Sequence, residues 1–222
     1  MGRKGTALKA KILETSHLLF SEKGYDKTSV NDIINKLTIS KGAFYHYFKS
    51  KDEVLDDIIM NYTIEVVDML YEIAYDSSLN GQEKYIKMFS ETQRLRKQNV
   101  EKFSFLSKLF LTEGNLLFRH RYTEKILELT KQPFIIILRQ GVKERLFVIN
   151  DPEETAELII RLGNIYRTKI ALLTLTLNEN PNNLLKIKNI VEFMQDTIER
   201  LLGLDSGSLD IISGSYQSGI GS

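Results

Sequence analysis

The chain contains no cysteine in 222 residues, so disulfides and thiolate metal sites are excluded. Histidine is almost as scarce: His17, His46 and His120 lie on separate segments, with no HExxH spacing and no paired carboxylates beside them. Glycine-rich phosphate loops, GxGxxG and GxSxG are missing as well. No catalytic residue, metal or cofactor is therefore expected. No stretch approaches eighteen apolar residues, and the basic start MGRKGTALKAKILETSHLLF lacks the apolar core and cleavage site of a leader. The expectation is no membrane association and a cytoplasmic location. Proline occurs three times, and each instance reads as punctuation: Pro133 as a kink or boundary, Pro152 at a helix start, Pro181 beyond a helix end.

What is present is an uneven charge distribution. Residues 1–51 hold ten Lys/Arg against four acids, a balance of +6, and the rest of the chain carries −5. A basic head on an acidic body suits a phosphate-binding module joined to a domain that does not bind nucleic acid. Hydrophobic residues make up 42%, enough for a real core.

Residues 24–53, GYDKTSVNDIINKLTISKGAFYHYFKSKDE, compress two short helical patterns and a basic exit. Ser29 or Thr28 can cap a helix whose apolar positions, Val30, Ile33, Ile34 and Leu37, recur at spacings of three and four. Thr38 and Ile39 make a tight turn. Ser40 caps the next helix, with Phe44, Tyr47 and Phe48 on its inner face. Lys41, Gly42, Ala43, Tyr45 and His46 point outward, a surface suited to a DNA groove. Upstream, a bracing helix over 6–23 turns Leu8, Ile12, Ser16, Leu19 and Phe20 inward and ends at Gly24.

The stretch SKGAFYHYFKSKDE closely resembles the signature of the tetracycline-repressor-like (TetR/AcrR) family of bacterial transcription regulators. Two departures stand out: Thr38 occupies a turn position that is usually Gly, and Ile34 one that is often Ala. The resemblance implies an all-α protein with a three-helix helix-turn-helix head over 1–50. A helical effector-binding and dimerisation domain follows over 51–202, entered through a connecting helix over 51–75. It further implies that Asn31, Lys41, Gly42 and Tyr45 meet base edges, and that Ser29, Ser40, His46, Tyr47 and Lys51 meet phosphates. The chemistry agrees: Lys41 can donate to guanine O6 or N7, Asn31 can pair with adenine, and Gly42 lets backbone approach. Tyr47 is open between a core role and a hydroxyl reaching the DNA backbone.

Beyond Tyr75, helical patterns continue over 82–99, through an aromatic segment near 103–111, and over 115–146. Asp151, Pro152 and Glu154 form a strong start signal for a helix reaching about 177, and a last helix spans 183–202. The resemblance implies that these last two helices pair with their copies in a homodimer. Tyr62, Met69, Phe89, Phe103, Phe110, His120, Tyr122, Arg161, Asn164 and Tyr166 form a pool from which a pocket for a small apolar or aromatic effector can be drawn. The Gly/Ser-rich tail over 203–222 reads as flexible. The function implied is that of a dimeric regulator, a repressor released from a pseudo-palindromic DNA operator by that effector. The alternatives are the same fold controlled by a protein partner and, more distantly, an all-helical enzyme.

Overall fold

Every regular element among the described residues, 3–210 of this computed structural model, is an α-helix. They run α1 (Arg3–Lys23), α2 (Val30–Leu37), α3 (Lys41–Tyr45), α4 (Lys51–Tyr75), α5 (Gly81–Gln98), α6 (Val100–Leu111), α7 (Leu116–Lys143), α8 (Pro152–Leu175) and α9 (Asn183–Leu202). The all-α expectation is met.

Local chemistry sets the helix ends. Ser29 Oγ accepts the Asp32 N–H at 3.1 Å while the Asp32 carboxylate accepts the Ser29 N–H at 2.7 Å, a reciprocal capping box at the start of α2. Asn80 and Glu83 repeat the device before α5. Asp151 accepts from the N–H groups of Glu153 and Glu154, with Pro152 at the first helical position. Gly24 follows α1 at φ +89, where a Cβ would come within 2.9 Å of the Glu113 carbonyl oxygen, so both conformation and space require glycine there. Pro133 lies buried inside α7, which runs through it, so of the kink or boundary expected at that proline the boundary is absent.

Packing gathers the helices into two compact units. The first takes the chain up to Ile64 together with Ser104–Lys125. Its core holds Ile12, Leu19, Phe20, Tyr25, Ile33, Ile34, Phe44 and Phe48 from the head, Val54, Leu55, Ile58 and Ile59 from α4, and Leu109, Phe118 and Tyr122 from α6 and α7. The helix-turn-helix therefore shares a core with more chain than the 1–50 segment delimited from sequence.

The second unit takes Glu65–Phe103 and the chain from Ile126 onward. Leu70, Ile73, Tyr85, Met88, Leu138, Phe147, Ile159, Ile198 and Leu202 form its core. Lys84 is buried there, its ammonium donating to the Ala74 carbonyl at 2.7 Å and to Gln140 Oε1 at 2.6 Å, which satisfies the end of α4.

The flexible tail expected from Gly203 is corrected over its first residues. Buried Glu199 accepts the N–H groups of Gly207 and Leu209, each at 2.9 Å, and Leu209 is fully buried in the core. Gly/Ser composition hid two apolar anchors, Leu204 and Leu209, that pack against the second unit. The remainder of that tail, 211–222, lies outside the described residues.

Candidate nucleic-acid interface

The α2–α3 corner is built from the inside outward. Ile33, Phe44 and Phe48 are essentially inaccessible and fix the angle of both helices on α1, where Ser16 is also buried. Thr38 occupies the left-handed region at φ 55, ψ 45 and closes α2, as its turn position foretold. Ser40 then caps α3, its Oγ accepting the Ala43 N–H at 3.1 Å.

With the aromatic face committed inward, Asn31, Ser40, Lys41, Gly42, Tyr45 and His46 are all exposed, and Tyr47 is half-buried. Tyr45 stands 53% exposed, its ring edge-on to Phe44 at 5.4 Å. Gly42 is the telling position. A Cβ there would meet nothing nearer than Ser40 Oγ at 3.9 Å, so the fold does not require glycine. A helical glycine costs about 1 kcal/mol relative to alanine.

Some of the head's lysines are paired and others are not. Lys9 pairs with Asp57 at 2.6 Å and Lys23 with Asp32 at 3.0 Å. Lys27, Lys36, Lys41 and Lys49 are exposed and make no ion pair among the described residues. These are the charges free to displace counterions from a phosphate backbone.

Two residues assigned to phosphates from sequence are engaged within the head. Ser29 Oγ donates to Asp32 at 2.7 Å, and the Ser29 hydrogen bonds, followed by Lys23, hold the Asp32 carboxyl far below the usual range. A firmly ionised carboxylate at that point opposes a phosphate. Lys51 turns its ammonium onto the Tyr25 carbonyl at 2.7 Å and over the Tyr25 ring, and desolvation lowers its pKa. Ser40, His46 and Tyr47 keep outward access.

A buttress that sequence reasoning missed sits behind the corner. Asn115 Oδ1 accepts the Tyr25 N–H, while Asn115 Nδ2 donates to the Leu109 carbonyl at 2.9 Å. The Tyr25 hydroxyl donates to Asp52, whose other oxygen receives Arg121 at 2.9 Å. Burial first, then Asp52, keeps the Tyr25 phenol well above its ordinary pKa. These partners are up to ninety residues apart in sequence, and no periodicity announces them.

Residues 12–58 match the family described as bacterial regulatory proteins, tetR family. Over this head the chain matches the tetR family. The chain is 34% identical over 99 residues to the biofilm operon icaADBC HTH-type negative transcriptional regulator IcaR of Staphylococcus aureus strain Newman. That match covers 37% of this chain and 52% of IcaR, so the chain spans about half the length of the curated relative. In fold it is similar to a TetR-family transcriptional regulator from Syntrophomonas wolfei, with TM-score 0.63, 21% identity, and 89% of this chain and 97% of that one covered. It is also similar to SmeT in its triclosan complex, with TM-score 0.64, 15% identity, and 91% and 94% covered.

The residues of the effector-pocket pool are divided between the two units. Tyr62, Phe110, His120 and Tyr122 belong to the first unit. Tyr62 bonds and stacks with His17, burial raising its pKa to about 12. Phe110 and Tyr122 pack edge-to-face at 5.0 Å, and His120 is exposed. Met69, Phe89, Phe103, Arg161, Asn164 and Tyr166 belong to the second unit. Phe89 packs on its core, Phe103 lies 5.9 Å from Arg96, Arg161 pairs with Glu157 at 2.8 Å, and half-buried Tyr166 meets Phe193 at 6.1 Å. Asn164 is half-buried on α8. Only Met69 of this pool lines the cleft between α4 and α5. Among the described residues, no three His, Asp or Glu side chains gather as a metal site, and no helix is long and apolar enough to cross a membrane.

Proposed function

We propose that this protein is a homodimeric, sequence-specific DNA-binding transcription regulator, a repressor, that occupies a pseudo-palindromic operator. The observation that carries the reading is the outward face of α3. Lys41, Gly42 and Tyr45 stand exposed on a rigid aromatic base, and the glycine serves no need of the fold. Asn31 on α2 joins Lys41, Gly42 and Tyr45 as the base-reading set. Ser40, His46 and Tyr47, together with Lys27, Lys36 and Lys49, supply phosphate contacts. The repressor assignment is supported by the IcaR relative, a negative transcriptional regulator by name.

Dimerisation is supported by α8 and α9. Leu158, Ile165 and Leu172 are exposed at a seven-residue spacing on α8, with Leu175 close by, and Leu185 and Phe193 are exposed on α9. Ile165 is 68% accessible, an uncommon position for so apolar a side chain. A second copy covers this face. It sets two recognition helices one helical turn apart, ~34–36 Å, on the DNA.

Release is by a small effector that binds one conformation better than another. Moving the operator from nearly full to nearly empty takes about 5.5 kcal/mol of differential affinity. SmeT, a protein of the same fold, is known as a complex with triclosan.

The test is selection from a randomised duplex library with purified protein at two salt concentrations. An enriched inverted repeat is expected. Salt-sensitive binding without any enriched sequence would overturn sequence-specific regulation.

A further inference from the structure

We infer that the cleft between α4 and α5 binds a small amphipathic organic cation. This deepens the effector part of the proposed regulator and rests on that reading for its consequence. The cleft encloses about 470 Å³ and lies wholly within the second unit. Its floor is apolar: Met69 and Ile73, both in the unit's core, and half-buried Leu95. Such a floor offers an alkyl or aryl group a dry seat.

The walls decide the sign of the ligand. Both cations that line the cleft are already answered. Lys87 pairs with Asp76 at 3.2 Å, and Arg94 pairs with Glu91 at 2.6 Å while also donating to Gln98 at 2.9 Å. Asp76 is doubly engaged, since its other oxygen accepts the N–H and hydroxyl of Ser78. Glu72 remains: it lines the cleft, is exposed, and has no hydrogen-bond or ionic partner among the described residues. The lining therefore carries one uncompensated negative charge over an apolar floor. An anionic ligand would find no free cation there, and a neutral one would leave Glu72 unanswered.

An aromatic face completes the arrangement. Tyr75 lines the cleft while 70% exposed, and its ring stacks on Tyr71 at 6.2 Å with an interplanar angle of 14°. The π-face of a tyrosine attracts an ammonium group. A ligand with a hydrophobic tail and a quaternary or primary ammonium head thus answers floor, carboxylate and ring together.

The experiment is calorimetric titration of the full chain with three probes of one skeleton: 4-phenylbutyltrimethylammonium, 4-phenylbutanol and 4-phenylbutyrate. The cation is expected to bind one per chain, about tenfold tighter than the alcohol, with the carboxylate weakest. Glu72→Gln is expected to weaken the cation about threefold to fivefold and leave the alcohol unchanged. Tyr75→Ala, also at an exposed position, is expected to weaken the cation by a similar factor. Equal affinities for the three probes, or an unaltered cation affinity in Glu72→Gln, would overturn the inference. Failure here alongside an enriched operator would leave the regulator standing. Success here without any enriched operator would remove the regulatory consequence and leave the binding site.

Discussion

The Lys51 ammonium lies 2.7 Å from the carbonyl oxygen of Tyr25 and 4.0 Å above the centre of the same residue's ring. One lysine thereby ties the first turn of α4 to the bend between α1 and α2. Its charge is part of the head's own architecture, whereas Lys49, two residues earlier, is fully outward.

Lys51→Met, which keeps the aliphatic stem, is therefore expected to cost about 1–2 kcal/mol of stability in urea unfolding. The salt dependence of DNA binding should stay as in the parent. Lys49→Met should do the reverse, lowering the log–log salt slope by about 0.9 with stability unchanged. A reduced slope with intact stability in Lys51→Met would return that residue to the phosphate backbone.

Thr38 holds a left-handed backbone at φ 55 with a β-branched side chain, a conformation glycine adopts freely. Thr38→Gly should raise the unfolding free energy by about 1 kcal/mol and leave the selected DNA sequence unchanged. Chemical denaturation of the two proteins side by side measures this. Destabilisation would show that the Thr38 side chain supplies packing that outweighs the strain.

His17 is half-buried against Tyr62, and desolvation lowers its pKa from 6.5 to about 4. The folded state thus favours the neutral ring, while the unfolded chain takes up a proton at the ordinary value. Stability is full above about 6.5, declines as pH falls from there toward 4, and levels below. His17→Gln should flatten that part of the stability profile relative to the parent. Parallel curves for the two proteins between those limits would contradict the assignment.

Ile165→Glu and Phe193→Glu place charges on the exposed apolar face of α8 and α9. Each should convert the dimer to a monomer in sedimentation, because a carboxylate cannot be buried there unpaired. Operator affinity should fall about a hundredfold or more as the two heads lose their linkage, with each monomer still folded. A dimer that survives both substitutions would move the interface elsewhere.

Much of this architecture is written in short-range chemistry. Ser29, Asp151 and Gly24 announced helix ends because a cap or a positive φ involves neighbours a few residues apart. The outward residues of α3 followed from phase alone once Phe44 and Phe48 were assigned inward. Contacts that join distant stretches were illegible. Asn115 reaching the Tyr25 backbone and Arg121 reaching Asp52 depend on tertiary placement, which leaves no period in the sequence. The Lys51 side chain read as an exposed charge because nothing local reveals the ring beneath it. Composition misled at the C-terminal end, where glycines and serines around Leu209 concealed a turn clasped by Glu199. A pocket is no easier to read from sequence, because aromatic residues of a ligand site and of an ordinary core share one pattern, as Phe110 and Tyr122 show.

The most direct test of the central claim repeats the duplex selection with Lys41→Ala beside the parent protein. Lys41 is exposed at the start of α3, so it tolerates truncation without disturbing the core. An inverted repeat is expected in both selections, with base preference relaxed at the same position of each half-site in the variant. An identical enriched sequence, bound more weakly and uniformly so, would contradict base reading by the outward face of α3.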